Sequence, residues 1–267
     1  MGRKNTIIAV LALLVIFSTS ASFFIYHQQQ HLIETQEDII ARLISADNAG
    51  SAGRAGGQAF INVSEGVSSA NIVAVRSDTY SGVIGKVRVE IKEGNGDVLV
   101  NTNPFVEPTT QYSIREAVKV AENFTNMNVS NKDVIISFDI NGTLIGGPSA
   151  GAATTVATIA VMEGKHVKQD TAITGTIEEG GYIGEVGGVF EKAVAAEKNG
   201  MKLFLVPKGQ KKLIYYEQEI EERDLFGFTF TRVYYTPKEV DLGEYMEGKM
   251  EVVEVSTIGE VVAYMIV

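Results

Sequence analysis

Two side chains in this sequence could act together on an acyl bond. The first is Ser149, within Gly146-Gly147-Pro148-Ser149-Ala150-Gly151-Ala152-Ala153-Thr154-Thr155, where a proline and one serine stand among residues with almost no side chain. Small residues allow close backbone approach, and glycine also reaches torsions closed to other residues, so the stretch is either a tight packing point or a site. It follows an apolar strand pattern, Val134–Ile140, and opens a helical pattern running from Ser149 to about Glu163, with Gly164 as its stop. A strand, a glycine-rich turn and a helix put the hydroxyl at a helix N-terminus, where unpaired N–H groups and the dipole stabilise a developing oxyanion.

The hydroxyl also needs a base. The 267 residues contain no cysteine, and His27, His31 and His166 are spaced unlike any metal motif, with none placed to serve the serine. A lysine can serve if burial lowers its pKa from ~10.4 toward ~7 to 8. Lys192 fits best: it lies in Gly187–Ala196, "GGVFEKAVAA", flanked by apolar and small residues on a helical pattern. Lys208, Lys211 and Lys212 lie in charged surroundings and read as solvated surface. Each residue also has a plainer reading, since Pro-Ser commonly caps a helix and a helical lysine commonly snorkels.

The rest of the chain bounds the possibilities. With 45% hydrophobic residues it can bury a substantial core, and its net charge of -10 argues against a nucleic-acid surface, which needs clustered cations. Absence of cysteine excludes disulfides and thiolate zinc sites, and neither a metal nor another cofactor is expected. Residues 6–26, "TIIAVLALLVIFSTSASFFIY", carry no charge and are long enough to cross a ~30 Å hydrocarbon layer. Arg3 and Lys4 precede them and Glu34, Glu37 and Asp38 follow, which predicts a single-pass anchor, residues 1–5 cytoplasmic and the body extracytoplasmic. A cleaved signal peptide is the competing reading, because small residues cluster at Ser18–Ser22. Sequons at Asn62, Asn123, Asn128 and Asn141 add weak support for an external location. Residues 27–58 read as an amphipathic stalk and a glycine-rich linker, and residues 59–267 as the folded domain.

Within that domain, strand and helix signals alternate. Ile72–Val75 is a strand pattern, and Val87, Val89 and Ile91 alternate with Arg88, Glu90 and Lys92. Asn95-Gly96-Asp97 then turns into Val98–Val100, which together predict a hairpin. Ser113 and Glu116 form a capping-box pattern that predicts a helix start. Val189–Asn199 reads as a helix closed by Gly200, while Leu203–Val206 and Phe228–Tyr235 read as strands. The predicted fold class is α/β with a mixed sheet, beginning with antiparallel strands.

Three segments in register resemble the proteolytic domain of Lon proteases: "GGPSAG" at Gly146–Gly151, "TGTI" at Thr174–Ile177, and "GGVFEKAVAAEKNGMKLFLVP" at Gly187–Pro207. That family has a P-S-A-G serine motif, a T-G-E-I-like segment and a G-G-L-K-E-K-like segment carrying a lysine. Ser149 and Lys192 stand 43 positions apart, in agreement with the family without a gap. The resemblance covers most of Ile72–Val267. It implies a Lon proteolytic-domain-like fold behind the membrane helix, Ser149 as nucleophile, Lys192 as base, and Thr174 orienting the lysine amine. The backbone of Gly147, Pro148, Ser149 and Ala150 is then the expected oxyanion hole. Homo-oligomers are implied as well, hexameric rings being usual in that family.

The sequence departs from the pattern at two places. Gly146 stands where many Lon proteins have an acidic residue, and Thr176 replaces the glutamate of T-G-E. Glu178, Glu179, Glu185 and Glu191 read as solvated charges or at most a substrate-facing rim, and Asp133 and Asp139 as strand residues. No G-x-x-x-x-G-K-[ST] occurs in these 267 residues. The expectation is a membrane-anchored serine endopeptidase with a Ser-Lys dyad, acting without ATP on unfolded proteins or peptides. Two alternatives remain: a tethered binding domain without catalysis, and a GHMP-type small-molecule kinase, whose phosphate loop the serine motif superficially echoes.

Overall fold

The computed structural model describes residues 61–225 and 228–267, with the side chains of Ile61, Asn62 and Leu225 left aside. The expected anchor, stalk and linker lie outside the described residues. Among those that are described, no helix is long and apolar enough to cross a membrane.

The elements follow in chain order. Strands β1 (Ile61–Asn62), β2 (Gly66–Val75), β3 (Gly82–Glu93), β4 (Val98–Val100) and β5 (Phe105–Val106) lead into helix α1 (Pro108–Thr125). Then come β6 (Met127–Asn128), β7 (Lys132–Ile140), β8 (Leu144–Ile145) and helix α2 (Gly151–Met162). Strands β9 (Thr171–Ile173), β10 (Thr176–Ile177) and β11 (Ile183–Gly184) precede helix α3 (Val189–Lys198). The chain closes with β12 (Leu203–Pro207), β13 (Lys212–Leu225), β14 (Phe228–Asp241), α4 (Leu242–Tyr245), β15 (Glu251–Val255) and α5 (Ile258–Met265).

Seven strands form the central sheet in the order β15-β12-β9-β2-β3-β7-β4. Strands β15, β12, β9 and β2 are mutually parallel, while β3 runs antiparallel to both β2 and β7, so the sheet is mixed. Its pattern of burial differs between halves. On β3 and β7, Val87, Val89, Ile91, Val134, Ile136 and Phe138 are buried against the layer containing α1 and α2, while Arg88, Glu90 and Lys92 face away. On β12, alternate residues divide between two cores: Leu205 joins that first layer, and Phe204 and Val206 pack with Val189, Ala193 and Leu242 from α3 and α4. One half of the sheet is therefore covered on one face and the other half on both, as expected where parallel strands are followed by crossover helices.

Two local expectations are corrected, and one element is added. Strand β4 does not pair with β3 in a hairpin but lies parallel to β7 at the sheet edge. The Asp133 carboxylate, at the start of β7, accepts from the amides of Asn95 (2.8 Å) and Asp97 (3.1 Å) and draws the turn across that strand. Helix α1 begins at Pro108 rather than at Ser113, because proline at the first helical position supplies the required φ. Ser113 consequently lies inside the helix on its buried face. Strand β13, for which the sequence pattern predicts no element, pairs along its whole length with β14.

Candidate active site

Beyond β8 the chain reverses over Gly147, whose φ of +80° lies in the region that favours glycine. The Gly151 amide donates to the Pro148 carbonyl at 3.0 Å, and α2 starts at Gly151 with Ala150 as its cap. The helix expected from Ser149 thus starts two residues later, leaving the half-buried Ser149 in the turn just ahead of it. Helix α1 straps this turn: Thr110 Oγ1 donates to the Gly147 carbonyl (2.8 Å) and Ser113 Oγ to the Pro148 carbonyl (3.1 Å). From the other side, Gly175 N–H donates to the Ser149 carbonyl and Ala152 N–H to the Gly175 carbonyl, each at 3.1 Å. A side chain at Gly151 has no room, since its Cβ would lie 2.9 Å from the Ile177 amide nitrogen. The small residues are therefore both packing and site: every residue of α2 is buried, and the turn at its tip holds the serine.

Lys192 arrives from the opposite face of the sheet. Helix α3 has Glu191 in its first turn and Lys198 in its last, each complementing the macrodipole. Its buried stripe is Val189, Lys192, Ala193, Ala195 and Ala196, so the lysine occupies a core position and is only 4% exposed. Its Nζ donates to Thr174 Oγ1 at 3.1 Å. Thr174 is fully buried immediately beyond β9, and the next residue, Gly175, is the one bonded to the Ser149 turn. Burial pushes the Lys192 amine down to about 8, against a smaller opposing pull from Glu191. Close to half of it is neutral in mildly alkaline solution.

Ser149, Lys192 and the Gly146–Ala150 turn line one cleft of about 900 Å³. No hydrogen bond joins Ser149 Oγ to Lys192 Nζ in this structure; catalytic hydrogen bonds commonly tighten only around substrate. Pro148 has no amide hydrogen, so the expected oxyanion donors reduce to Gly147, Ser149 and Ala150. Among the described residues, none of these three N–H groups has a protein acceptor.

Several contributors to this site were not read from the sequence. A Cβ at Gly146 would collide with the Glu107 carboxylate, so Glu107 fills the space that the missing acidic side chain at Gly146 leaves open. It lines the cleft together with Glu185 and Glu191, two residues assigned to solvent or rim. Thr110, Ser113 and Glu107 reach the turn from more than 30 residues upstream, and no local pattern marks such contacts. Among the described residues no group of carboxylates and imidazoles is arranged to hold a metal.

Comparison with known proteins identifies the family of this domain. Residues 61–225, more than half of the chain, match the family described as the Lon protease (S16) C-terminal proteolytic domain. Similar relatives include the Lon protease of Mesomycoplasma hyopneumoniae, 31% identical over 58% of this chain and 19% of that protein. The archaeal Lon protease of Archaeoglobus fulgidus is 26% identical over 69% of this chain and 25% of that protein. That of Methanocaldococcus jannaschii is 36% identical over 31% of this chain and 13% of that protein. The aligned region thus spans a quarter or less of the length of these relatives. Matched over most of its central sheet and through both the serine turn and the lysine helix, the chain belongs to the Lon protease proteolytic domain family.

Proposed function

We propose that this chain is a serine endopeptidase in which Ser149 is the nucleophile and Lys192 the general base. One observation carries the reading: a lysine amine is buried at a core position, lowered to about 8, and held by Thr174 beside the cleft that Ser149 lines. A structural lysine gains nothing from that position, because burying its charged form is costly. A base gains a pKa matched to mildly alkaline operation.

In the proposed reaction Ser149 Oγ attacks a peptide carbonyl carbon while Lys192 takes its proton, and the oxyanion lies among the amides of Gly147, Ser149 and Ala150. The tetrahedral adduct collapses, Lys192 gives the proton to the departing amine, and an ester to Ser149 remains. Water then attacks the ester, its proton passing through Lys192 back to Ser149. Thr174 keeps the amine aimed at the cleft. The proposed substrates are unfolded proteins or peptides cleaved without ATP, a reading supported by the lack of a G-x-x-x-x-G-K-[ST] motif in these 267 residues. The uncharged segment Thr6–Tyr26 supports a membrane-anchored enzyme with its peptidase domain outside the cytoplasm. Family membership supports assembly into homo-oligomers.

The test is cleavage of an unfolded casein by the full-length protein without ATP, from pH 6 to 10, beside Ser149→Ala and Lys192→Ala. Cleavage lost in both variants, with activity rising through about pH 8 in the parent, supports the dyad. Equal inactivity of three folded proteins supports the tethered binding domain instead.

A further inference from the structure

We propose that the β13–β14 ribbon is a docking track for unfolded polypeptide that feeds the Ser149 cleft; this rests on the peptidase reading above. The two strands have 14 residues each and pair from Lys212↔Asp241 to Leu225↔Phe228. At ~3.3 Å per residue the ribbon is ~45 Å long, room for about a dozen residues of extended substrate.

The register sorts its side chains onto two unlike faces. Ile214, Tyr216 and Ile220 share one face with Val233, Tyr235 and Pro237, because Tyr216 opposes Pro237 and Ile220 opposes Val233. That face is unburied: Ile214 is 59% exposed, Tyr216 67%, Ile220 60% and Tyr235 62%. The other face is mixed: Arg223 is paired to Glu221, Lys238 to Glu217, and the Tyr234 hydroxyl donates to Glu219 at 2.8 Å, while the rings of Phe228 and Phe230 lie exposed at the far end of the ribbon. Contiguous apolar surface rimmed by charge marks an interaction site.

Two observations commit this surface to substrate. The ribbon is rooted on the lysine helix: the Tyr215 ring stacks on Phe190 of α3 with centroids 4.3 Å apart, while Leu213 and Val240 pack on the core beneath. A two-stranded ribbon is marginal alone, so its position is set by that anchorage. Its apolar face also runs into the catalytic cleft. A second cleft of about 720 Å³ is lined by Tyr216 and Tyr235 from the ribbon, and by Tyr80, Val186, Gly188 and Glu191, all four of which also line the cleft of Ser149 and Lys192. A chain held along the ribbon is thereby led to the serine. The chemistry recognised is an extended segment carrying aliphatic and aromatic side chains, which folded proteins keep inside.

The experiment measures fluorescence anisotropy of dye-labelled unfolded casein with the full-length Ser149→Ala protein, so that binding is read apart from cleavage. Adding Tyr216→Ser, Ile220→Ser and Tyr235→Ser together should weaken binding at least about tenfold, whereas Glu221→Ser with Arg232→Ser on the other face should leave it within about twofold. Binding unchanged by the triple substitution, or equally weakened by both sets, overturns the proposal. So does loss of binding accompanied by a smaller assembly in light scattering, which makes the face a contact between copies. Labelling of Ser149 by a small fluorophosphonate in the otherwise unsubstituted protein reads the peptidase assignment separately: a serine that does not label fails that assignment, while the anisotropy still decides the track.

Discussion

The two helices that meet at the cleft are built on opposite plans. Helix α2 is buried along all twelve residues and made mainly of Gly, Ala, Thr and Val, and it leaves Ser149, the proposed nucleophile, half-buried in the turn before its tip. Helix α3 is buried along one stripe only and places Lys192, the proposed base, inside that stripe. The difference matches what each group needs. A nucleophile must reach a substrate carbonyl, so it belongs at the end of a rigid element with free amides around it. A lysine base must be partly neutral near pH 8, so it belongs where water cannot stabilise its charge.

This contrast can be broken most severely at the nucleophile. Ser149→Ala should reduce peptide cleavage by ~10⁴-fold or more while leaving the melting temperature nearly unchanged, because the side chain is half exposed in a turn. Thr174→Val should lower kcat about 10- to 100-fold, as a buried partner of a catalytic group is lost. With its acceptor gone the charged amine is less favoured, so the alkaline rise in activity should move to lower pH. Ala157→Leu, at a fully buried position of α2, should cost about 1–3 kcal/mol in denaturant unfolding through overpacking. Lys198→Ala, on the exposed end of α3, should cost no more than about 0.5 kcal/mol. A large penalty at Lys198, or none at Ala157, would erase the distinction between the helices.

The stability consequence of the lysine has a definite sign. Its folded pKa lies below the ordinary lysine value, so between about 8 and 10.5 the unfolded chain binds more protons than the folded one. Stability contributed at this site therefore rises with pH across that window, and below it the fold carries a penalty of about 3 kcal/mol. Lys192→Met should abolish cleavage yet raise stability at pH 7, a gain that shrinks as pH approaches 10.5. Under the proposed dyad, catalysis and stability are opposed at this position.

Much of the site was legible in the sequence for the same physical reasons. Lys192 could be singled out because apolar and small neighbours on a helix imply burial, and Ser149 because a glycine turn ahead of a helix implies free amides. Thr174 required the family resemblance, since a threonine at a strand end carries no local mark. Thr110, Ser113 and Glu107 were illegible because their contacts with the turn are made through space, and Ser113 was instead read as a cap. In the sheet, the period-2 pattern of Val87, Val89 and Ile91 located β3 because that strand has one wet face. Partner choice for Val98–Val100 could not follow from pattern alone: any adjacent turn suggests a hairpin, and the Asp133 bonds that redirect it come from a later strand. Strand β13 escaped notice because a ribbon exposed on both faces imposes no burial period on its charged residues.

The central claim is that Lys192 is a buried, neutralisable base, and the most direct measurement is its own titration. With ¹³Cε-labelled lysine in the full-length protein, and Lys192→Met to assign the signal, the account predicts a resonance that titrates near pH 8 and moves lower still in Thr174→Val. A Lys192 signal titrating at the ordinary value near 10.5, with the other lysines, would contradict it and remove the base from the proposed dyad.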